Sequence, residues 1–244
     1  MIIQLKDVHK HFVLGKHEIR AVNGVTLELQ EGDVNCFLGT SGSGKSTMLN
    51  LMAGFEKPTS GSVIASGIPL ETLDEHGLAV FRQRYIGFVF QSYNLIESLT
   101  ALDNVTLPLT FRGIGKRERA ATAREMLKLV GLEDYEDHKP SQMSGGQQQR
   151  VGIARALVCR PKILFADEPT GNLDTHTREE VIQLMIRVAR DQGQTMIIVT
   201  HEPEIARYAD RILHMKDGIV EQDIRNTPIL EIKTEDVAHA QLLD

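Results

Sequence analysis

The chain has 244 residues, of which 41% are hydrophobic and 25% charged, and its formal net charge is -6. This composition is typical of a globular protein with a sizeable core. The negative balance argues against a nucleic-acid-binding protein, which neutralises phosphates with a basic face. The sequence contains no apolar run of the roughly 18 residues that a membrane-spanning helix needs, and its first residues lack the pattern of a signal peptide. We therefore expect a cytoplasmic protein.

Strand patterns come first in the chain. Ile3 and Leu5, and later Val25, Leu27 and Leu29, alternate with polar residues, which predicts antiparallel strands with one exposed face. From residue 34 onward, short apolar runs are separated by helical patterns, at 34–38, 85–90, 163–166 and 195–200. Such runs are typical of parallel strands that are buried on both faces. The sequence therefore predicts an α/β fold with an N-terminal antiparallel β subdomain and a mixed and parallel sheet.

Helical patterns dominate two later segments. Between residues 100 and 160 one face collects Ala120, Ala123, Leu127 and Val130, which predicts a helical subdomain inserted at about 92–160. Between residues 175 and 190 a second apolar stripe predicts a helix that packs on the sheet; it contains Val181, Met185, Val188 and Ala189. We assign residues 1–222 to one domain and 223–244 to a C-terminal tail, where 234–243 could form a short helix. The two cysteines, Cys36 and Cys159, are predicted to be single buried thiols.

A glycine-rich segment after the run 34–38 carries the strongest chemical signal. It fits the pattern G-x-x-x-x-G-K-[ST] and consists of Gly39, Thr40, Ser41, Gly42, Ser43, Gly44, Lys45, Ser46 and Thr47. In such a loop, successive backbone N–H groups and the N-terminus of the next helix point at an anion, so the segment predicts a triphosphate site. We expect Lys45 to contact the outer phosphates and Ser46 to bind the accompanying Mg²⁺.

Two carboxylates end the apolar run 163–166. Because strand side chains alternate, Asp167 and Glu168 are expected to point in opposite directions and to have separate roles. Asp167 suits the magnesium shell, whereas Glu168 suits the base that orients and polarises the attacking water.

Two further polar residues follow apolar runs. His201 comes after 195–200, and Gln91 comes after 85–90, with an amide oxygen that can complete a metal shell. In a parallel sheet, ligands gather at the carboxyl ends of the strands. We therefore expect both residues to face the triphosphate site.

A second loop of backbone donors lies in the predicted helical subdomain. Ser144, Gly145, Gly146 and Gln147 open a helix that Ser144 can cap. One chain would thus have two anion-binding loops and one magnesium-bearing site. A two-fold dimer resolves this excess, because the loop of one copy can close over the phosphates that the other copy binds.

These motifs together resemble the nucleotide-binding subunit of ATP-binding cassette transporters, over nearly the whole chain to about residue 222. The resemblance implies ATP hydrolysis with Mg²⁺, with Glu168, His201 and Lys45 as catalytic residues and 39–47 and 144–147 as ATP-binding segments. It also implies that Ser46, Gln91 and Asp167 bind the metal. Asp174 resembles the family's aspartate that touches the facing subunit, and Phe12, near His9 and His11, its aromatic that stacks on adenine.

Within the family, the segments 86–91, 99–105 and 168–174 look like the lipoprotein-release and macrolide-export branch. That likeness implies a homodimer in the ATP-bound state, an integral membrane transporter subunit as partner, and a location on the cytoplasmic face of the inner membrane. Two residues depart from the family pattern: Thr40 stands where proline is usual, and Met143 where leucine is usual. Neither change removes a ligand, since the loop binds through its backbone and methionine replaces the bulk of leucine.

Two other functions share this cassette. One is an ATP-dependent regulatory scaffold of a membrane complex that transports nothing. The other is a DNA-repair or translation ATPase, but such chains resemble coiled-coil, zinc-bearing or tandem-cassette proteins, and this sequence has no paired CxxC motif. The cargo itself cannot be deduced from the fold or the motifs.

Overall fold

Ten strands and seven α-helices occupy residues 1–15 and 17–229, which the computed structural model of this chain describes. In chain order they are β1 (Ile3–Leu14), β2 (His17–Leu29), β3 (Val34–Leu38), α1 (Lys45–Met52), β4 (Ser60–Ala65), β5 (Ile68–Pro69), α2 (Glu75–Tyr85), β6 (Ile86–Val89), α3 (Ala101–Phe111), α4 (Lys116–Leu129), α5 (Gly145–Leu157), β7 (Ile163–Asp167), α6 (Thr175–Asp191), β8 (Thr195–Thr200), α7 (Pro203–Ala206), β9 (Arg211–Lys216) and β10 (Ile219–Arg225).

The strands form two sheets. The smaller sheet is antiparallel, with the order β2-β1-β4-β5, and the larger has the order β10-β9-β3-β8-β7-β6. In the larger sheet the strands from β9 to β6 are parallel, and β10 is antiparallel to β9. The predicted α/β fold, with an N-terminal antiparallel subdomain and a mixed and parallel sheet, is confirmed.

The larger sheet separates two hydrophobic cores, because successive side chains of its strands point to opposite faces. In β7, Leu164 and Ala166 pack among the helices α3 to α6, whereas Ile163 and Phe165 pack with α1 and the antiparallel sheet. All four side chains are fully buried. The predicted burial of these strands on both faces is thus observed. Residues that follow the carboxyl ends of the strands can therefore form a site at the edge of the sheet.

One predicted strand is shorter than expected. The run 85–90 forms a strand only over Ile86–Val89, because Tyr85 completes α2 and the last ladder pair with β7 is Val89 with Ala166. Helix α2 was not predicted from the sequence. Its N-terminus is capped by Asp74, whose Oδ1 accepts a hydrogen bond of 2.7 Å from the backbone N–H of Gly77.

Helices occupy much of the segment assigned to the inserted subdomain, whose bounds of about 92–160 stay a prediction. Residues 92–160 contain α3, α4 and α5, and within α4 the side chains of Ala123 and Leu127 are buried. No helix in residues 1–15 and 17–229 is both long and apolar enough to cross a bilayer. Strand β10 continues past residue 222, so the division into domain and tail stays a prediction. The helix suggested at 234–243 lies outside the described residues.

The two cysteines are free thiols, as predicted, but they differ in burial. Cys36 is fully buried in β3, and burial raises its pKa to about 12. Cys159, just after α5, is only half-buried, which corrects the prediction that both thiols are buried.

Candidate active site

The glycine-rich loop joins β3 to α1. Gly44 precedes α1 with φ of 99°, and a Cβ at this position would lie 2.1 Å from the carbonyl oxygen of Ala21. Only glycine fits both the backbone conformation and the space. The loop therefore lies against Ala21 of β2, and the N-terminus of α1 offers its backbone N–H groups to an anion.

Lys45 folds back over this loop. Its Nζ donates hydrogen bonds to the carbonyl oxygens of Gly39, at 2.8 Å, and Thr40, at 2.9 Å. Burial lowers the pKa of Lys45, and the nearby carboxylates of Glu168 and Asp167 oppose this shift. The buried ammonium group has carboxylates nearby but no direct ion pair within the described residues, which suits a group that receives a phosphate.

Asp167 and Glu168 have different partners. Asp167 is the last residue of β7, and its Oδ1 accepts a hydrogen bond of 3.1 Å from Oγ of Ser46. Burial raises the pKa of Asp167, whereas the hydrogen bond from Ser46 lowers it. Glu168 lies beyond the strand at φ of 45°, and its Oε2 is 3.0 Å from Nδ1 of His201. The two carboxylates thus have separate partners, and their separate roles stay a prediction.

The side-chain oxygens of Ser46, Asp167 and Gln91 are suitable ligands for a magnesium ion. Ser46 Oγ and Asp167 Oδ1 are hard ligands already within 3.1 Å of each other, and Gln91 offers an amide oxygen from the neighbouring segment. Mg²⁺ prefers such oxygens and shares its shell with substrate phosphates. When bound, the ion would neutralise phosphate charge as it develops.

A single cleft of about 1080 Å³ collects most of the predicted residues. Its lining includes Gln91, Glu168, His201 and every residue of 39–47 except Ser43. Ser43 is buried instead, and its carbonyl oxygen accepts a hydrogen bond from Gly218. The carboxyl ends of four parallel strands thus contribute to one site, as the sequence predicts.

Another part of the cleft lining was not predicted from the sequence; it consists of Ile19, Arg20, Ala21, Pro203, Asp217 and Gly218. Asp217 and Gly218 form the tight turn between β9 and β10, and an Asp-Gly pair is a sequence signal for such a turn. Residues 19–21 of β2 carry no comparable sequence signal, since they are brought to the cleft by contacts with residues distant in the sequence.

Phe12 lies beside the cleft rather than in its lining. It is on β1, opposite Ile19 of β2, and its side chain is exposed, with Nζ of Lys10 5.1 Å from the ring centroid. The cross-strand neighbour Ile19 does line the cleft. Stacking of Phe12 on adenine stays a prediction.

The structure does not bring Ser144–Gln147 to this cleft, whose described lining contains none of these four residues. Oγ of Ser144 accepts from the backbone N–H of Gln147 at 3.3 Å, and the Gln147 side chain accepts from the N–H of Ser144 at 2.8 Å. This capping box starts α5, as predicted for Ser144. Asp174 likewise caps α6, accepting from Thr177 N–H at 3.1 Å, and hydrogen bonds from the side chain and then the backbone of Thr177 lower the pKa of its carboxyl group.

A phosphate-binding loop, the carboxylate of Glu168 and a histidine share one cleft on a parallel sheet, and Asp167 accepts a hydrogen bond from Ser46 in its lining. These features define a nucleoside-triphosphate hydrolase of the phosphate-loop class. The model of the family described as ABC transporter matches residues 22–171. The chain belongs to this family, and it is an ATPase that uses ATP with Mg²⁺. The family predicted from the sequence is confirmed.

Relatives with curated names agree with the predicted branch. The macrolide export ATP-binding/permease protein MacB of Rhodopirellula baltica is 45% identical over 226 residues, which are 92% of this chain and 33% of that protein. MacB of Escherichia coli K12 is 41% identical over 230 residues, 94% of this chain and 35% of that protein. The chain thus spans 33% to 35% of the length of these relatives. The uncharacterized ABC transporter ATP-binding protein MJ0796 of Methanocaldococcus jannaschii is 47% identical over 226 residues, 91% of this chain and 96% of that protein.

Solved structures give the same family. A dimeric structure of a post-hydrolysis state of the ATP-binding cassette MJ0796, bound to ADP and Pi, superposes with a TM-score of 0.86 at 44% identity, covering 93% of this chain and 100% of that one. CbiO1 of Clostridium perfringens, part of the ABC transporter complex cbiONQ, has a TM-score of 0.82 at 29% identity and covers 92% of this chain and 88% of that one.

Proposed function

We propose that two copies of this chain bind two ATP molecules head to tail and that their closure and reopening drive an integral membrane partner that exports or extracts cargo. The observation that carries this proposal is the separation of two anion-binding helix starts. One, at Lys45, lies in the cleft, and the other, at Gly145, lies outside it. In the dimer, Ser144–Gln147 of one copy covers the nucleotide that the other copy holds.

The residues of the cleft have complementary tasks in hydrolysis. The loop 39–47 and Lys45 bind the phosphates, because backbone N–H groups and a buried ammonium group favour polyanions. Glu168 orients and polarises the attacking water, and His201, 3.0 Å from its carboxylate, contacts the γ-phosphate. Asp174, exposed at the start of α6, contacts the facing copy.

The membrane partner is proposed from the relatives. The MacB proteins are named as ATP-binding/permease proteins, and this chain spans 33% to 35% of their length. We infer that the partner is an integral membrane transporter subunit and that the chain works on the cytoplasmic face of the inner membrane. Cargo such as lipoproteins, macrolides or peptides fits the branch, and no nucleic acid takes part.

Mixing two inactive variants tests the shared site. Lys45→Ala disables the phosphate loop and leaves Ser144 intact, whereas Ser144→Arg blocks the second loop and leaves Lys45 intact. A mixed dimer then contains one intact composite site, so mixing restores ATP-dependent dimerisation and part of the hydrolysis. If both loops served the same chain, mixing would restore neither, and the dimer proposal would be wrong.

Reconstitution tests the transport part of the proposal. The protein is purified with its membrane partner and placed in lipid vesicles with ATP. Cargo movement that the Glu168→Gln variant cannot support would favour transport. Unchanged cargo together with an altered activity of the partner would instead identify a regulatory scaffold.

A further inference from the structure

One buried amide connects α5 to the cleft. Gln149 lies in the second turn of α5, and its side chain is fully buried. Its Nε2 donates hydrogen bonds to the carbonyl oxygen of Phe90, at 3.3 Å, and to that of Pro169, at 2.5 Å. A single side chain thus joins the helix that starts at Gly145 to two loops at the ends of β6 and β7.

The orientation of this amide follows from its partners. Both contacts of Gln149 are carbonyl oxygens, which can only accept, so the NH₂ group must face them. Its Oε1 is buried and has no hydrogen-bond partner within the described residues. A buried amide oxygen without a partner costs free energy.

The two carbonyls belong to the residues beside Gln91 and Glu168. Phe90 immediately precedes Gln91, and Pro169 immediately follows Glu168. Glu168 starts a tight turn in which its carbonyl oxygen accepts from the N–H of Gly171 at 3.1 Å. Because proline fixes its own φ, the bond from Gln149 to the Pro169 carbonyl restrains the remaining freedom of this turn.

We propose that Gln149 is a positioning residue for ATP hydrolysis, which holds Glu168 and Gln91 in register with the helix that carries Ser144–Gln147. The helix N-terminus that covers the facing nucleotide and the two γ-phosphate residues of the same chain then move as one unit. This inference rests on the role proposed for Glu168. Among the residues that the structure describes, neither carbonyl is hydrogen-bonded to the phosphate loop. Gln149 therefore affects turnover rather than ATP binding.

Two substitutions test the proposal. Gln149→Leu removes both donors at similar size and is expected to lower kcat by about tenfold to a hundredfold while the affinity for ATP stays within about twofold. Gln149→Glu replaces the amide with a carboxyl group that can donate only when protonated. The activity of Gln149→Glu relative to the parent protein is therefore expected to rise as the pH falls. A buried carboxyl group has a pKa roughly 2–4 units above its ordinary value, so assays between about pH 8.5 and pH 5.5 cover its titration.

Gln194→Leu is the matched control. Gln194 is also a buried glutamine whose Oε1 has no partner in the described part of the chain, but its Nε2 donates to the side chain of Gln192 and to no loop of the cleft. Thermal unfolding of each variant reports on stability. The control is expected to lose stability without a selective loss of kcat.

Three outcomes would overturn the inference: parental kcat in Gln149→Leu, a parallel loss of ATP affinity and kcat as stability falls, or a relative activity of Gln149→Glu that does not change with pH. The Glu168→Gln variant distinguishes a wrong positioning role for Gln149 from a wrong role for Glu168 in the proposed function. If Glu168→Gln is inactive and Gln149→Leu is normal, only the positioning role is wrong. If Glu168→Gln hydrolyses ATP normally, the role of Glu168 is wrong.

Discussion

Nδ1 of His201 lies 3.0 Å from Oε2 of Glu168, and this contact joins the residues that follow two neighbouring parallel strands, β8 and β7. The His201 side chain is 59% exposed and that of Glu168 is 17% exposed. Both side chains line the cleft, and the carboxylate is the more sheltered member of the pair. This arrangement suits a base that is shielded from bulk solvent and a histidine that reaches the nucleotide.

The Glu168→Gln variant is expected to retain ATP binding and lose turnover. The amide keeps the size of the side chain but cannot accept a proton, so hydrolysis falls by at least about a hundredfold. ATP then remains bound, and a dimer appears in size-exclusion chromatography when ATP is present. Undiminished phosphate release by this variant would show that another group acts as the base.

His201→Ala is expected to slow hydrolysis because His201 acts together with Glu168. Residues that act together give non-additive effects, so the double variant with Glu168→Gln should be no slower than Glu168→Gln alone. Single-turnover phosphate release measures all three rates. Effects that multiply would indicate that His201 and Glu168 act independently.

The Lys45→Ala variant is expected to lose stabilisation by ATP. In the parent protein, ATP with Mg²⁺ at a hundredfold excess over Kd raises the free energy of unfolding by about 2.7 kcal/mol. Without the ammonium group the phosphates lose a charged donor, and the increase in Tm on adding ATP should disappear. An exposed lysine, replaced in Lys216→Ala, serves as the control, since its partner is Glu221 on β10. An equal increase in Tm for Lys45→Ala and the parent protein would contradict the assignment.

Asp223→Asn is expected to destabilise the protein in a pH-dependent way. Asp223 accepts hydrogen bonds from Nε of Arg211 at 2.7 Å and from Nη2 at 2.5 Å, which lowers the pKa of its carboxyl group. Because the folded pKa lies below the unfolded value of about 3.9, the stabilisation is present above that pH and is lost as the pH falls through the folded pKa. The variant should cost about 1 kcal/mol at pH 7.

Urea denaturation at several pH values measures this difference. The free energies of unfolding of Asp223→Asn and the parent protein should converge in acid. Glu221→Gln, which alters a more exposed pair with Lys216 at 3.6 Å, should show little difference at any pH. A cost for Asp223→Asn that is the same at pH 7 and in acid would exclude the ion pair as its origin.

The sequence predicted the catalytic half of the cleft because parallel strands deliver their carboxyl ends to one edge. Once the runs before Gln91, Asp167 and His201 are assigned as strands, the topology of the sheet brings them to the loop at 39–47. Helix α2 was not predictable in this way. It buries only Leu78 and Phe81, so its apolar period is too weak to stand out.

Gln149 illustrates a second limit of sequence reasoning. It is the last of three successive glutamines, 147–149, and composition gives each of them the same preference for solvent. Only packing decides which one turns inward, because the helix rotates by 100° at each residue. The position of residues 19–21 in the cleft lining was not predictable either, because it depends on how the antiparallel sheet packs against the larger sheet.

The capping role of Asp174 determines how its proposed interface role can be studied. Its carboxylate closes the first turn of α6, so Asp174→Ala would remove a helix cap and the proposed intersubunit contact in one step. Asparagine is as good a cap as aspartate but carries no charge. Comparing asparagine with alanine at this position therefore separates the effect on dimer assembly from the effect on the helix. Substitutions at residue 174 can then measure how tightly two copies bind each other.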